Sequence, residues 1–456
     1  MSDEKVVQMP RRRKAADDGP SDKEVTERFV LKQVPSNRYV AAWGIWMRFD
    51  GEVWRQDELL SYQHDAIEHC AEEADTLTGK AKTKMLSASK YGAIARMSSV
   101  YPELAAAVDD WDRGKGDING LGKMINMETM MERAIIATDY VTKTMACTPA
   151  DGDCPLWMRF LEEVTDGDTD LQDFLQRMVG YCCTGHISEH KLFFIYGPGG
   201  NGKSVFVNII TRILNTYAVT ANMNLLTATT QERHPVELAR LRGARLVTIQ
   251  ETDEGKRLDE AKVKQLTGGD TITAHFMREN PFEFRPVCKF IISGNHKPRL
   301  ANVDDAIKRR FIIIPFTVRF DEDKRDLKLE DKLWAEREAI AAWMIKGARW
   351  WHQEGLNPPA RVTAETAEYF EAEDTVESWL EECTRPGDIL SDWVSNKDLY
   401  ESWSAWCKRS GEYPGTRKQF AQRLKKRSDM RAHKRNVWGF TGKILISEPL
   451  QDARMF

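Results

Sequence analysis

No run of apolar residues approaches the roughly 18 that a membrane-crossing helix needs, and the N-terminus lacks the apolar core of a secretory leader. A cytoplasmic protein without a membrane partner is therefore expected. The eight cysteines include no C-x-x-C pair and none spaced with histidines as zinc ligands are, so neither a disulfide framework nor a structural zinc is expected. Reduced, buried thiols are the expectation instead. A dominant charge is missing as well: 66 Lys and Arg against 70 Asp and Glu leave a formal net charge of −4, which alone argues neither for nucleic acid nor against it. Hydrophobic content of 41% with 30% charged residues is that of a soluble globular protein. At 456 residues the chain suggests about two to four domains.

What the sequence has is one sharply defined motif. Residues 197–204 read Gly-Pro-Gly-Gly-Asn-Gly-Lys-Ser, an eight-residue match to G-x-x-x-x-G-K-[ST]. The apolar run 192–196 before it reads as a buried strand, and Val205, Phe206, Ile209, Ile210, Ile213 and Leu214 recur after it at helical spacing. Strand, loop, helix is the context a phosphate-binding loop demands. Gly197, Pro198, Gly199, Gly200, Asn201, Gly202, Lys203 and Ser204 would then cradle phosphates with backbone N–H groups at a helix N-terminus. In this motif Lys203 reaches the β/γ-phosphates of ATP and the Ser204 hydroxyl holds Mg²⁺.

Read in order, residues 1–25 are a polar tail with a basic cluster at 11–14. Trp46, Met47 and Phe49 lead through Asp50 and Gly51 to Val53 and Trp54, which predicts a hairpin with a two-residue turn. Residues 58–107 carry helical periodicity, and 114–122 form a glycine-bearing connection. Residues 166–170 imitate the start of a calcium loop, but Leu171 and Arg177 stand where Gly and Glu are needed, so a helix-capping turn is expected. A second apolar run, 245–250, ends in Glu251, with Asp253 and Glu254 beyond. A strand beside a phosphate loop delivers such carboxylates to Mg²⁺ and to the attacking water, with Glu251 first in line for both roles. Residues 271–284 read as two strands around a polar turn, and 287–293 as a buried strand leading to Asn295, whose amide suits a water-orienting role or a plain turn. Arg309 and Arg310 precede a strand at 312–316 and could reach a neighbouring subunit's γ-phosphate.

These segments, with 241–247, 251–255, 264–270, 293–298 and 304–311 in that order, resemble the superfamily 3 helicases, most closely the helicase portion of phage and plasmid primase-helicases. The resemblance implies an α/β AAA+ type phosphate-loop core at 181–320, a ring, usually hexameric, with ATP sites between subunits, and translocation on single-stranded DNA. It makes Asn295 the sensor-type residue and Arg310 the preferred arginine finger, with Arg309 the alternative. It also sends the 271–284 hairpin into the central channel, where His275, Phe276 and Arg278 are candidate DNA contacts, although a packing role suits His275 and Phe276 nearly as well. The closely spaced aspartates and His of a primase site are absent ahead of this portion, so a separate primase or polymerase is an expected partner.

Flanking the core, 26–180 is expected to be a mostly helical domain and 321–385 a helical extension, with Trp334, Trp343, Trp350 and Trp351 as core residues. Residues 365–382 are acidic and expected to be a solvated face or a connection to the last domain. Residues 386–456 turn basic: Leu399, Trp403 and Trp406, then Phe420 and Leu424, mark two helices, and 435–440 with 443–446 suggest a closing hairpin. Helices followed by a hairpin fit a winged helix, with Arg423, Lys425 and Lys426 as duplex contacts. The sequence reading is thus an ATP-driven replicative helicase working on single-stranded and forked DNA in a bacterial host's cytoplasm. The alternative is an ATP-regulated replication initiator that does not unwind processively.

Overall fold

The computed structural model describes residues 19–227, 235–250, 257–275, 281–300, 304–321, 326–372, 375–425, 427 and 429–446. Its centre is built from the apolar runs. Leu192–Tyr196 (β1), Leu246–Gln250 (β3), Lys289–Gly294 (β4) and Phe311–Pro315 (β5) are buried almost throughout, as strands covered on both faces must be. With the shorter Ala218–Ala221 (β2) they form a five-stranded sheet in the order β5-β1-β4-β3-β2. Every pairing in it is parallel, with Leu192 opposite both Phe290 and Phe311. β2 was not expected, because Ala-Val-Thr-Ala lacks the apolar run of a central strand and occupies the sheet edge.

Parallel strands need crossovers, and helices supply them on both faces. Along β1 the side chains alternate: Phe193 and Ile195 enter one hydrophobic cluster, Leu192 and Phe194 the other. The first cluster contains residues of Pro155–Thr165 (α1), Thr169–Cys183 (α2), Lys203–Leu214 (α3) and Arg337–Glu354 (α4). The second contains Val263 and Leu266 of the helix Glu260–Gly268, and Tyr369 and Phe370 of Ala360–Ala372 (α5). One hydrophobic core therefore runs across position 180 and joins α1 and α2 to the sheet. Asp168 caps α2 by accepting from the Leu171 N–H at 3.0 Å, as the polar turn at 166–170 should. Trp343 and Trp351 are buried in the same core.

The N-terminal region packs three helices, Asp22–Gln33, Ser61–Asp75 and Ala88–Ser98, around Phe29, Tyr62 and Ile94. It also holds two three-stranded antiparallel sheets. In the first, Phe49 pairs with Trp54, so the hairpin loop has four residues rather than two. Asp50 explains the extra length: its Oδ1 accepts from the N–H groups of Glu52 and Val53 at 2.9 and 2.8 Å, closing an Asx-type turn. The second corrects the glycine-bearing connection at 114–122, which contains the strand Asp117–Asn119 paired with Lys123–Asn126. Ile118 is fully buried there, and three residues between glycines were too few to show a strand period.

The C-terminal region closes over Trp403, Trp406, Phe420 and Leu424, on Asn396–Ser410 (α6) and Arg417–Lys425 (α7), as the two stripes predicted. Two expectations change. The hairpin pairs Arg431–Lys434 with Trp438–Thr441, while Lys443–Leu445 crosses to pair with Thr384–Pro386. Gly442, at φ +100°, makes that break, and a Cβ there would meet the Asp429 carbonyl oxygen at 2.3 Å. The acidic stretch, expected as a solvated face or a connection, has an apolar side in this core: Trp379, on the helix Thr375–Cys383, is fully buried with its ring edge-on to Trp403 and Phe420. All eight cysteines are free and buried. Among the described residues no helix is long and apolar enough to cross a membrane.

Candidate functional site

β1 ends at Tyr196, and the chain turns at once. A Cβ on Gly197 would meet Asn201 Nδ2 at 1.9 Å and the Phe316 carbonyl oxygen at 2.0 Å, so no side chain fits. Gly199, Gly200 and Gly202 then adopt φ of +88°, +63° and +82°, which L residues rarely take. The curl is held by Gly199 N–H donating to the Gly197 carbonyl at 2.9 Å and Phe320 N–H donating to the Gly200 carbonyl at 2.9 Å. Gly202 also lets α3 start hard against α1, since a Cβ there would lie 2.6 Å from Val164 Cγ1.

Lys203 lies inside this curl with 6% of its surface exposed. Its Nζ donates to the Gly197 carbonyl at 2.6 Å, to Asn201 Oδ1 at 2.9 Å and to Asn295 Oδ1 at 3.0 Å. Parallel register explains the last contact: Gly294 at the end of β4 pairs with Tyr196 at the end of β1, so Asn295 comes out level with the loop. All three acceptors are neutral. Burial pulls the Lys203 pKa below its usual value, and no carboxylate is among the groups that shift it. Among the described residues the loop thus carries a buried positive charge without a counter-anion. Ser204, one residue on, is exposed at the first turn of α3. Asn201 is the participant that sequence reasoning left without a role of its own: its Nδ2 donates to the Phe316 carbonyl at 2.6 Å while its Oδ1 steadies Lys203. A polar residue among glycines was the available signal.

The two arginines differ. Arg310 is half-buried, donating from Nε to Thr267 Oγ1 at 3.1 Å and from Nη1 to the Ala306 carbonyl at 2.7 Å. Arg309 is exposed, with Nε donating to the Asp305 carbonyl at 3.1 Å. The expected hairpin is present at its base, where Ile272–Ala274 pairs with Phe282–Phe284, and His275 is half-buried beside it. Glu251, Asp253, Glu254, Phe276, Arg278 and Lys426 lie outside the described residues. In the C-terminal region Arg423 is half-buried. Its guanidinium lies 5.6 Å from the Trp403 ring centroid and donates to Thr375 Oγ1 at 3.4 Å. Lys425 is exposed, with Nζ 5.4 Å from the ring of Trp438. That tryptophan, 55% exposed, was not singled out in the sequence, although an aromatic beside Arg435 on a hairpin was a visible signal.

Two family models match the chain: one described as D5 N terminal like over residues 27–166, and a family of unknown function, DUF5906, over residues 195–310. The second runs from the end of β1 to Arg310. Among curated proteins, L207/L206 of Acanthamoeba polyphaga mimivirus, which carries a helicase name, is 27% identical over 261 residues, 53% of this chain and 27% of its own length. Primase D5 of fowlpox virus is 22% identical over 176 residues, 37% of this chain and 22% of its own. These matches make the chain similar to the phage and viral primase-helicases. It spans about a quarter of the length of these two relatives. The apo C-terminal region of NrS-1 shares the fold: 12% identity, a TM-score of 0.52, and coverage of 93% of this chain and 100% of that one. The D5 N terminal like match thus covers most of the N-terminal region and α1, while the DUF5906 match covers the glycine loop and the strands β2, β3 and β4.

Proposed function

We infer that this chain is the ATP-driven motor of a DNA helicase of superfamily 3 type, with an AAA+ core formed by the five-stranded sheet and its helices. The observation that carries the reading is Lys203, a nearly buried ammonium in a glycine loop between strand and helix, held among the described residues by neutral oxygens alone. That arrangement fits a polyphosphate, whose oxygens would supply the missing negative charge. ATP with Mg²⁺, when bound, supplies the free energy of phosphoanhydride cleavage. The loop N–H groups and Lys203 would hold the β/γ-phosphate end, and the Ser204 hydroxyl, exposed beside them, would ligate the cation. Asn295 shares its amide between Lys203 and the space beyond it, which suits positioning of the lytic water; Glu251 is the proposed base and second cation ligand. An arginine from a neighbouring copy completes the charge, so a ring is the functional unit. Single-stranded and forked DNA are the proposed substrates, with a separate primase or polymerase acting alongside. The C-terminal region is read as a winged helix that meets duplex through Lys425, Lys426 and Trp438.

The decisive comparison is ATP hydrolysis with and without single-stranded DNA, together with fork unwinding, for wild type and Lys203→Ala. Hydrolysis stimulated by single strands, with unwinding, both lost in the variant, is the expected outcome. Hydrolysis indifferent to DNA, with no fork opened and duplex binding intact, would replace the motor with an ATP-regulated initiator.

A further inference from the structure

A second cleft, of about 520 Å³, opens where the N-terminal region meets the outer edge of the parallel sheet. Trp43, Trp111 and Lys143 line it from the N-terminal side, and Val219 of β2, Arg240, Arg242 and Phe282 from the other. The glycine loop follows β1, near the other edge of the sheet. The cleft is lined by cations and aromatic rings. Trp43 and Trp111 lie 6.1 Å apart, and their Nε1 atoms are closed to solvent with no hydrogen-bond partner among the described residues. Among the described residues no acceptor is recorded for the Lys143 ammonium, which burial and nearby Arg242 both disfavour while Asp112 supports it. The Arg242 guanidinium is stacked 4.1 Å from the Trp43 ring centroid and 5.4 Å from that of Phe282, and donates to the Val108 carbonyl at 3.3 Å. The single lining acid among the described residues, Asp112, already accepts from the Thr142 N–H at 2.8 Å and from its hydroxyl at 2.5 Å.

Among the described residues three cations face one committed lining carboxylate, with Asp109 also acting on Arg242, so the cleft is net positive, and its walls are aromatic. The cations favour a ligand carrying negative charge there. Aromatic faces beside cations add a preference for a planar ring carrying phosphate, the combination that single-strand binding surfaces use.

We propose that this cleft is a second nucleotide-unit site, which takes an aromatic base against its tryptophan and phenylalanine walls and a phosphate on Lys143, Arg240 and Arg242. Phe282 belongs to the hairpin at 272–284, so an occupant here would touch the element that the helicase reading assigns to the channel. The site itself rests on the cations and rings named above, while its use by a DNA strand rests on that reading.

The test uses the full chain with two probes, a labelled oligo-dT and ADP. Lys143→Ala and Arg240→Ala are the variants; Arg240 is exposed, so its loss cannot be mistaken for misfolding. If a strand occupies the cleft, each variant weakens oligo-dT binding by about tenfold and lowers the salt slope by about 0.7, with DNA-free ATP hydrolysis unchanged. If a free nucleotide occupies it, oligo-dT binding is unchanged, and in a Lys203→Ala background a remaining equivalent of bound ADP disappears with either variant. Wild-type behaviour of both variants towards both probes overturns the site. A wild type that binds no oligo-dT and only one ADP does so too. Loss of DNA-stimulated hydrolysis in wild type would count against the helicase reading alone, and leaves the ADP arm to decide the cleft.

Discussion

Lys289, at the start of β4, has 1% of its surface exposed, and its Nζ donates to the carbonyls of Thr184 and Val287 while lying 5.1 Å from the Tyr181 ring centroid. Burial lowers its pKa to about 7, with nearby Arg245 pushing the same way, while the neighbouring Cys182, Cys183 and Cys288 thiols are pushed up to about 12. The consequence for stability has a definite sign. Above pH 7 the unfolded chain keeps this lysine protonated up to its ordinary value while the folded chain releases the proton, so unfolding takes up a proton and stability rises with pH. The thiols act oppositely, but only once the unfolded chain's cysteines begin to ionise at about pH 8.5. Between pH 7 and 8, the wild type should therefore gain stability with a slope approaching about 1.4 kcal/mol per unit, and Lys289→Met should lack that component. Urea midpoints for both proteins across this window check it, and parallel lines would show that Lys289 stays charged in the fold.

At the scale of elements, the tightest contact is the crossing of α2 and α4. A Cβ on Gly180 would lie 2.0 Å from the Ala348 nitrogen, and one on Gly347 would lie 2.1 Å from the Gln176 carbonyl oxygen. Glycine inside a helix costs stability, so two facing each other are explained by the close backbone approach they permit. Gly180→Ala should destabilise by about 3 kcal/mol through forced separation of the helices. Gly92→Ala, in the helix Ala88–Ser98 with nothing within 4 Å of the added carbon, should instead stabilise by up to about 1 kcal/mol. Thermal melts of the two variants test the contrast, and a Gly180→Ala protein melting like wild type would refute the crossing. Neither glycine stood out in the sequence, which shows periodicity but not which helix meets which. The same limit explains the other gaps. β1, β3, β4 and β5 were legible because both faces are buried and the code is a continuous apolar run. β2 at the edge and the three-residue strand at 117–119 carry no such run. Trp379 was hidden among acids whose burial is a tertiary fact. The glycine loop was legible because its backbone tolerates few residue types, whereas the packing of Arg423 and the bridging by Asn201 depend on partners far along the chain.

At the scale of the whole molecule, the question is which arginine would face a bound γ-phosphate across from Lys203. Within one chain the ammonium is held by Gly197, Asn201 and Asn295, and Arg310 spends its guanidinium on Thr267 and Ala306 of its own chain. Arg309, one residue earlier, is exposed. Release of Arg310 would cost its two internal hydrogen bonds, so on this geometry Arg309 is the readier of the two to act on a neighbour, reversing the order drawn from family resemblance. If the proposed ring is correct, turnover per chain should rise with protein concentration, and Arg309→Ala should reduce it by about a thousandfold. Lys203→Ala should be inactive as well. Mixed in equal amounts, the two inactive proteins should recover about a quarter of the wild-type rate, because a quarter of randomly formed head-to-tail interfaces pair an intact loop with an intact arginine. Recovery by Lys203→Ala mixed with Arg310→Ala, with Arg309→Ala active by itself, would return the role to Arg310. A mixture as inactive as its components, with each variant still assembling, would mean that the site is completed inside one chain, and the ring would lose its catalytic rationale.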